Sequence, residues 1–200
     1  LRNPLFTAHS VRSDKRLRFR FIVPLALLVA VLLAACGGSG GTSESFTQDN
    51  QNGDLAPNFP VIMFQGQNEV GGQEINFSEL IGEKPVVLNF WAGLCPPCRA
   101  EMPELQVFHD EFEGRALLIG IDLGQFTGLG NPEDAQELLK DLGVTYPAGY
   151  TVDDRIIRNY EILGMPTTVF IDAKGKIFSK WTGAISGKEL EKKTLAMLAP

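Results

Sequence analysis

At 200 residues, with 44% apolar residues, 21% charged residues and three cysteines, the chain has the makeup of one globular domain with appendages rather than a Cys-rich scaffold. Its formal charge of −6 hides a split. Up to Cys36 six Lys or Arg face a single acid, Asp14, whereas beyond Cys36 there are 12 Lys and Arg against 23 Asp and Glu, a charge of −11. A domain of that sign is unsuited to nucleic acid and to an electrostatic hold on anionic lipid.

The chain opens on Leu1 rather than Met, which leaves a start elsewhere or an alternative start codon open. Arg12, Lys15, Arg16, Arg18 and Arg20 then form a basic stretch, followed by an apolar run from Phe21 to Ala35. Basic, then apolar, then small residues is the order of a secretory signal. The run of about 15 residues is shorter than the roughly 20 a spanning helix needs, and Pro24 interrupts it. It ends Leu33-Ala34-Ala35-Cys36, which resembles the bacterial lipoprotein box. Small residues give a peptidase access to the bond before Cys36, and acyl chains on Cys36 then hold the new N-terminus in the bilayer. The competing reading is an uncleaved anchor with an incidental cysteine. The Gly/Ser-rich segment after Cys36, polar to about Asp54, has nothing to bury and is expected to be a flexible tether. The expected division is a signal peptide at 1–35, a tether at 36–55 and a folded domain at 56–200.

In the domain, Phe59 to Phe64 and Glu74 to Leu80 are expected to be small strands covering an edge. Pro85 to Trp91 is an apolar, β-branched run suited to a buried strand. Pro96 to about Phe112 reads as a helix, with Leu105, Phe108 and Phe112 at helical spacing and Gly114 as a stop. Ala116 to Asp122 is a second buried strand. Asn131-Pro132-Glu133-Asp134 starts a helix that runs to about Leu142, before Gly143. Thr167 to Asp172 and Lys176 to Trp181 form a hairpin around Ala173-Lys174-Gly175, and Ser186 caps a last helix from Lys188 to about Leu198. Strands joined through helices, closed by a hairpin, predict an α/β fold: a mixed sheet with helices on both faces.

With Cys36 assigned to the anchor, one close cysteine pair remains, Cys95-Pro96-Pro97-Cys98, where a strand gives way to a helix. Unpaired N–H groups and the helix dipole stabilise a thiolate at that position. Two intervening residues let one helical turn bring the sulfurs within bonding distance. The pair could instead be a structural disulfide, or half of a metal site, although no second pair exists and His109 is the one histidine after Cys36.

The segment Asn89-Phe90-Trp91-Ala92-Gly93-Leu94-Cys95-Pro96-Pro97-Cys98-Arg99-Ala100-Glu101-Met102-Pro103-Glu104-Leu105 resembles the active-site stretch of thioredoxin-like proteins, and more narrowly the membrane-tethered TlpA/ResA type of thiol–disulfide oxidoreductase. The resemblance covers roughly Ala56 to Ala199 and includes Gly164-Met165-Pro166-Thr167-Thr168. It implies a thioredoxin fold with an N-terminal strand extension and an inserted β–α unit, here Ala116 to about Tyr146. It implies a cis Pro166 facing the disulfide, with Met165 offering its backbone to an incoming strand. Trp91 joins these two as a substrate-side residue. It also places Asn89 where thioredoxin has a buried aspartate, and Glu101 three residues after Cys98 as a possible carrier of that thiol's proton. Leu94 stands where a Trp is common.

The function expected from these residues is a tethered, extracytoplasmic oxidoreductase in which Cys95 attacks and Cys98 resolves, with no cofactor beyond the dithiol/disulfide itself. No cation lies between the cysteines, unlike the strongly oxidising relatives that place a histidine there, so a reducing direction is expected. Implied partners are disulfide-containing clients, apocytochromes among them, an upstream membrane thiol donor, and the bilayer through acylated Cys36. A tethered binding protein or metal carrier is the alternative, but copper carriers of this fold space their cysteines further apart and recruit a histidine. A peroxide reductase would want a lone nucleophilic cysteine after a Thr and Pro pattern.

Overall fold

A computed structural model of the protein describes residues 54–199, so the expected signal segment, Cys36 and most of the tether lie outside the described residues. Strands β3 (Val86–Trp91) and β4 (Leu117–Asp122) are buried along their whole length, as their unbroken apolar runs require. They pair in parallel from Val86↔Leu117 to Trp91↔Asp122, connected by helix α1 (Pro96–Glu111). Helix α2 (Pro132–Leu142) leads from β4 to β5 (Ala148–Tyr150), which also pairs in parallel with β4. Strand β6 (Thr167–Ile171) runs antiparallel to β3, and β7 (Ile177–Thr182) closes the hairpin before helix α3 (Gly187–Leu198). With β1 (Pro60–Gln65) and β2 (Glu74–Asn76), the seven-stranded sheet has the order β2-β1-β5-β4-β3-β6-β7.

The helix ends follow their local chemistry. Asn131 Oδ1 accepts the Glu133 and Asp134 N–H groups, while Asp134 Oδ2 accepts the Asn131 N–H, so both ends of the motif satisfy free donors of α2. Gly143, at φ 62°, takes the left-handed conformation that ends the helix. Ser186 Oγ accepts the Glu189 N–H at the start of α3.

One sequence expectation changes. The N-terminal strands do cover an edge, β1 lying between β5 and the outermost β2 and antiparallel to both, but Phe77–Leu80 is a 3-10 turn rather than strand. Strand β5 has only three residues, with Gly149 in a ladder position where a side chain would collide with the Ile62 carbonyl. So short a run, with Ala and Gly at its start, carries almost no strand signal. Helices do lie on both faces, but unequally. The core on one face takes its helical residues from α1, α2 and α3; the other face is covered by the single turns at Gln67–Val70, Gly124–Thr127 and Ile156–Asn159 and by aromatic packing. There Phe59 stacks on Phe77 with centroids 5.0 Å apart, Phe90 meets Tyr160 edge-on at 5.0 Å, and the Tyr160 hydroxyl donates to the Pro57 carbonyl at 2.7 Å. The described chain joins the sheet at once, since Ile177 N–H donates to Asp54 O and Leu55 bridges Lys176.

Candidate active site

The C-terminal end of β3 delivers the chain into a turn, Ala92-Gly93-Leu94, and Cys95 becomes the N-cap of α1. Pro96 and Pro97 occupy the first helical positions, where a missing N–H costs nothing. Cys95 and Cys98 form a disulfide with Cα atoms 5.3 Å apart. Cys95 Sγ also accepts the Cys98 N–H at 3.3 Å, so the one first-turn amide that Pro96 and Pro97 leave free points at this sulfur. Cys95 is 3% exposed and Cys98 0%. Cys95 is thus nearly buried even as the attacking residue, while its chain neighbours Leu94, Pro96 and Pro97 are exposed. The residual access belongs to Cys95 alone.

Beneath α1 lies Glu101, one helical turn beyond Cys98 and therefore on the same side of the helix. It is 2% exposed, which the sequence, where a lone acid on a helix ordinarily faces solvent, did not disclose. Its Oε1 accepts the Asn89 Nδ2 at 2.8 Å and its Oε2 accepts the Ile185 N–H at 2.9 Å. Burial pushes its carboxyl up to about 7, although both hydrogen bonds favour the charged form. Asn89 also donates to Thr168 Oγ1 at 3.1 Å, tying β3, β6 and α1 together. Tyr146, buried and without a hydroxyl partner, has its own pKa raised by burial and then by the Glu101 charge.

The Met165–Pro166 peptide is cis, as the resemblance implied. Phe90 pairs with Thr167, so Pro166 stands opposite Trp91, at the end of β3 from which the cysteine turn departs. Met165 packs against the apolar cluster that contains both cysteines. Its own N–H and C=O form no hydrogen bond among the described residues, while Pro166 O accepts from Gly183. Trp91 is a correction. It is fully buried, with its indole nitrogen leaning over Gly120, where an added Cβ would sit 2.9 Å from it. A side chain in that position packs the platform under the turn and cannot meet a docked client.

Sequence reasoning missed Asp122, a buried carboxylate at the end of β4 that accepts the Gly93 and Gly124 N–H groups. Burial, and after it the nearby Asp134 carboxylate, raises its pKa to about 6 against the pull of those amides. An acid closing an otherwise apolar strand was the available signal. His109 is an ordinary helix residue, half-buried and 3.8 Å from Glu69. Among the described residues no group of three or more His, Cys, Asp or Glu side chains could hold a metal ion. Chemically, the site holds a dithiol/disulfide pair at a helix N-terminus, a buried carboxylate whose pKa lies near neutrality, and free backbone groups beside them.

Known proteins agree with this arrangement. Residues 52–180 match the AhpC/TSA family. The thiol-disulfide oxidoreductase ResA of Oceanobacillus iheyensis is 28% identical over 92% of both chains. The thioredoxin-like protein YneN of Bacillus subtilis is 30% identical over 72% of this chain and 78% of its own. Among solved structures, one from Chlorobium tepidum, proposed to be the thiol:disulfide interchange protein DsbE, superposes with a TM-score of 0.61 at 27% identity, covering 74% of this chain and 97% of that one. The fold is the thioredoxin fold, and the chain belongs to the AhpC/TSA family, in the form that carries a paired-cysteine redox centre.

Proposed function

We propose that this thiol–disulfide oxidoreductase is a lipid-anchored, extracytoplasmic reductase of disulfides in partner proteins. The observation that carries the reading is the Cys95–Cys98 disulfide at the N-terminus of α1 with buried Glu101 on the same helix face. In the reduced protein the Cys95 thiolate attacks one sulfur of a client disulfide, forming a mixed disulfide and releasing a client thiolate. Glu101 takes the proton of the Cys98 thiol, and the Cys98 thiolate attacks the Cys95 sulfur. That step closes the Cys95–Cys98 disulfide and releases the second client thiol, with two electrons passed to the client. The Met165 backbone receives the client strand, beside Pro166.

The pair itself is the redox group, and a membrane thiol donor must return the two electrons, because an extracytoplasmic compartment is oxidising. Clients whose paired cysteines must stay reduced, such as apocytochromes before haem attachment, suit this direction. The anchor is read from Leu33-Ala34-Ala35-Cys36. The alignment with the Oceanobacillus ResA covers 183 residues of the 200, so it takes in the apolar run Phe21–Ala35 as well as the domain. No helix among the described residues is long and apolar enough to cross a membrane. The division into a signal peptide (1–35), a tether (36–55) and a thioredoxin-like domain (56–200) belongs to the same proposal.

The test is covalent trapping. Cys98→Ser should accumulate mixed disulfides with clients through Cys95, and Cys95→Ser should accumulate few. Equal trapping by both variants would reverse or remove the assignment of attacker and resolver. For the anchor, mass spectrometry of membrane-extracted protein should find an acylated N-terminal Cys36; a chain that retains residues 1–35 without acylation would end that part.

A further inference from the structure

The exchange chemistry above leaves one buried ionisable group beside the cysteine turn without a role. Asp122 ends β4 in register with Trp91 and is fully buried. Its Oδ1 accepts two backbone amides, Gly93 and Gly124, each at 3.2 Å. The Gly124 bond is local and would be enough for an acid that merely shapes the chain leaving its own strand. The Gly93 bond is different. It crosses from β4 to the turn that carries Cys95, two residues before that cysteine.

Two other contacts join the same pair of segments. The Leu94 N–H donates to the Leu129 carbonyl at 2.8 Å. Gly93 lies so close to the start of α2 that an added Cβ would sit 2.6 Å from Ala135 N and 2.7 Å from the Asp134 carbonyl carbon. The turn entering Cys95 is therefore held from behind by the connection between β4 and α2. Among the described residues, Asp122 supplies its one side-chain hydrogen bond.

In the oxidised protein the disulfide itself fixes the Cys95 sulfur. Once that bond opens, only the backbone of the turn keeps Cys95 Sγ near the Cys98 N–H, the amide that lies 3.3 Å away here. Pro96 and Pro97 carry no N–H, so the thiolate depends on the Cys98 amide and the helix dipole for its stability, and a turn free to rotate would raise the thiol pKa and lower the fraction of attacking thiolate. We propose that Asp122 is a positioning residue for Cys95: by accepting the Gly93 amide it keeps the cysteine turn seated so that the Cys95 sulfur stays over the helix N-terminus in the reduced state. The acceptor oxygen does this work, so asparagine can replace the aspartate and alanine cannot. The inference rests on Cys95 being the attacking thiol.

The experiment measures alkylation of Cys95 by iodoacetamide in the reduced full-length chain across pH, with peptide mass mapping to separate Cys95 from Cys98 and Cys36. Wild type, Asp122→Asn and Asp122→Ala are compared, with circular dichroism to establish folding. In wild type Cys95 should react faster than Cys98; the reverse order would overturn the attacker assignment itself, independently of Asp122. Asp122→Ala should raise the pH midpoint of Cys95 alkylation by about one unit, which is about tenfold in thiolate fraction below the midpoint. Asp122→Asn should stay within about twofold of wild type, since its amide oxygen keeps the bond. A folded alanine variant with the wild-type midpoint would make Asp122 purely structural and overturn the proposal. An asparagine variant shifted as far as alanine would overturn it too, by showing that charge rather than the acceptor matters. Should Asp122→Ala not fold, Asp122→Ser, whose shorter hydroxyl does not span both amides, takes its place; equal midpoints for serine, asparagine and wild type would then overturn it.

Discussion

Along β3, Val86, Leu88 and Phe90 enter one core cluster, while Val87 and Trp91 enter the other, with Asn89 between them on the same side. β4 repeats the division: Leu117, Ile119 and Ile121 on one face, Leu118, Gly120 and Asp122 on the other. The first face is largely aliphatic and aromatic, with Thr167 at the start of β6 and the Tyr160 hydroxyl among its few polar groups. The second, covered by the three long helices, buries Asn89, Glu101, Asp122 and Thr168, and leaves Asn89 Oδ1, Trp91 Nε1, Asp122 Oδ2 and Tyr146 Oη without partners. Buried polar groups of this kind cost stability. The comparison teaches a division of labour within one sheet: one face is packed almost wholly from apolar side chains, and the opposite face, which holds the disulfide, can then carry buried polar groups that cost stability.

If that division is sound, the two faces should fail in different ways. The largest effect on stability is expected at Phe90, which is fully buried against Phe59 and Tyr160. Phe90→Ala should cost about 3–5 kcal/mol in urea unfolding. Its reduction potential against glutathione, measured where the variant is still folded, should stay at the wild-type value. A changed potential would mean that the faces are coupled and would break the comparison.

A smaller and opposite effect is expected at Glu101. Its folded pKa of about 7 lies above the ordinary 4.5, so between those values the native state holds more protons than the unfolded one. Stability contributed by this group therefore falls as pH rises through that window, by about 3 kcal/mol at most, and is constant below it. Glu101→Gln should reduce the slope in unfolding experiments run from pH 4 to 8, leaving the part that Asp122, raised to about 6, contributes at the lower end of that window. Glutamine can keep one amide donor, and Asn89, whose Oδ1 is free, can turn to accept from the new Nε2. The same variant should slow disulfide exchange and flatten its pH dependence, because Cys98 loses its proton acceptor. Unchanged exchange rates would leave Glu101 as a buried structural acid and sharpen the comparison to packing alone.

The longer strands, the three long helices and their caps were legible in the sequence because each rests on local signals: apolar runs, Asn131 with Asp134, Ser186 before Glu189. The cysteine pair was legible as a short motif in a strand-to-helix context, and Pro166 through the family resemblance carried by Gly164 to Thr168. The burial of Glu101 and of Trp91 was not, because each depends on packing across elements distant in the chain: Glu101 on Ile185, Trp91 on the space left by Gly120. Asp122 escaped notice because its partner, Gly93, is 29 residues away. Strand β5 was hidden by its three-residue length, and β1 gained its interior place only through pairing with β5.

The most direct test of the central claim is the reduction potential of the Cys95–Cys98 pair, titrated against glutathione in the full-length protein. A reductase with neutral Pro96 and Pro97 between its cysteines and no cation to stabilise the thiolate should lie nearer thioredoxin, at about −270 mV, than the strong oxidant DsbA, at about −120 mV. A value above roughly −150 mV would contradict the account, since the reduced form would then be the favoured one and the protein would donate disulfides rather than remove them.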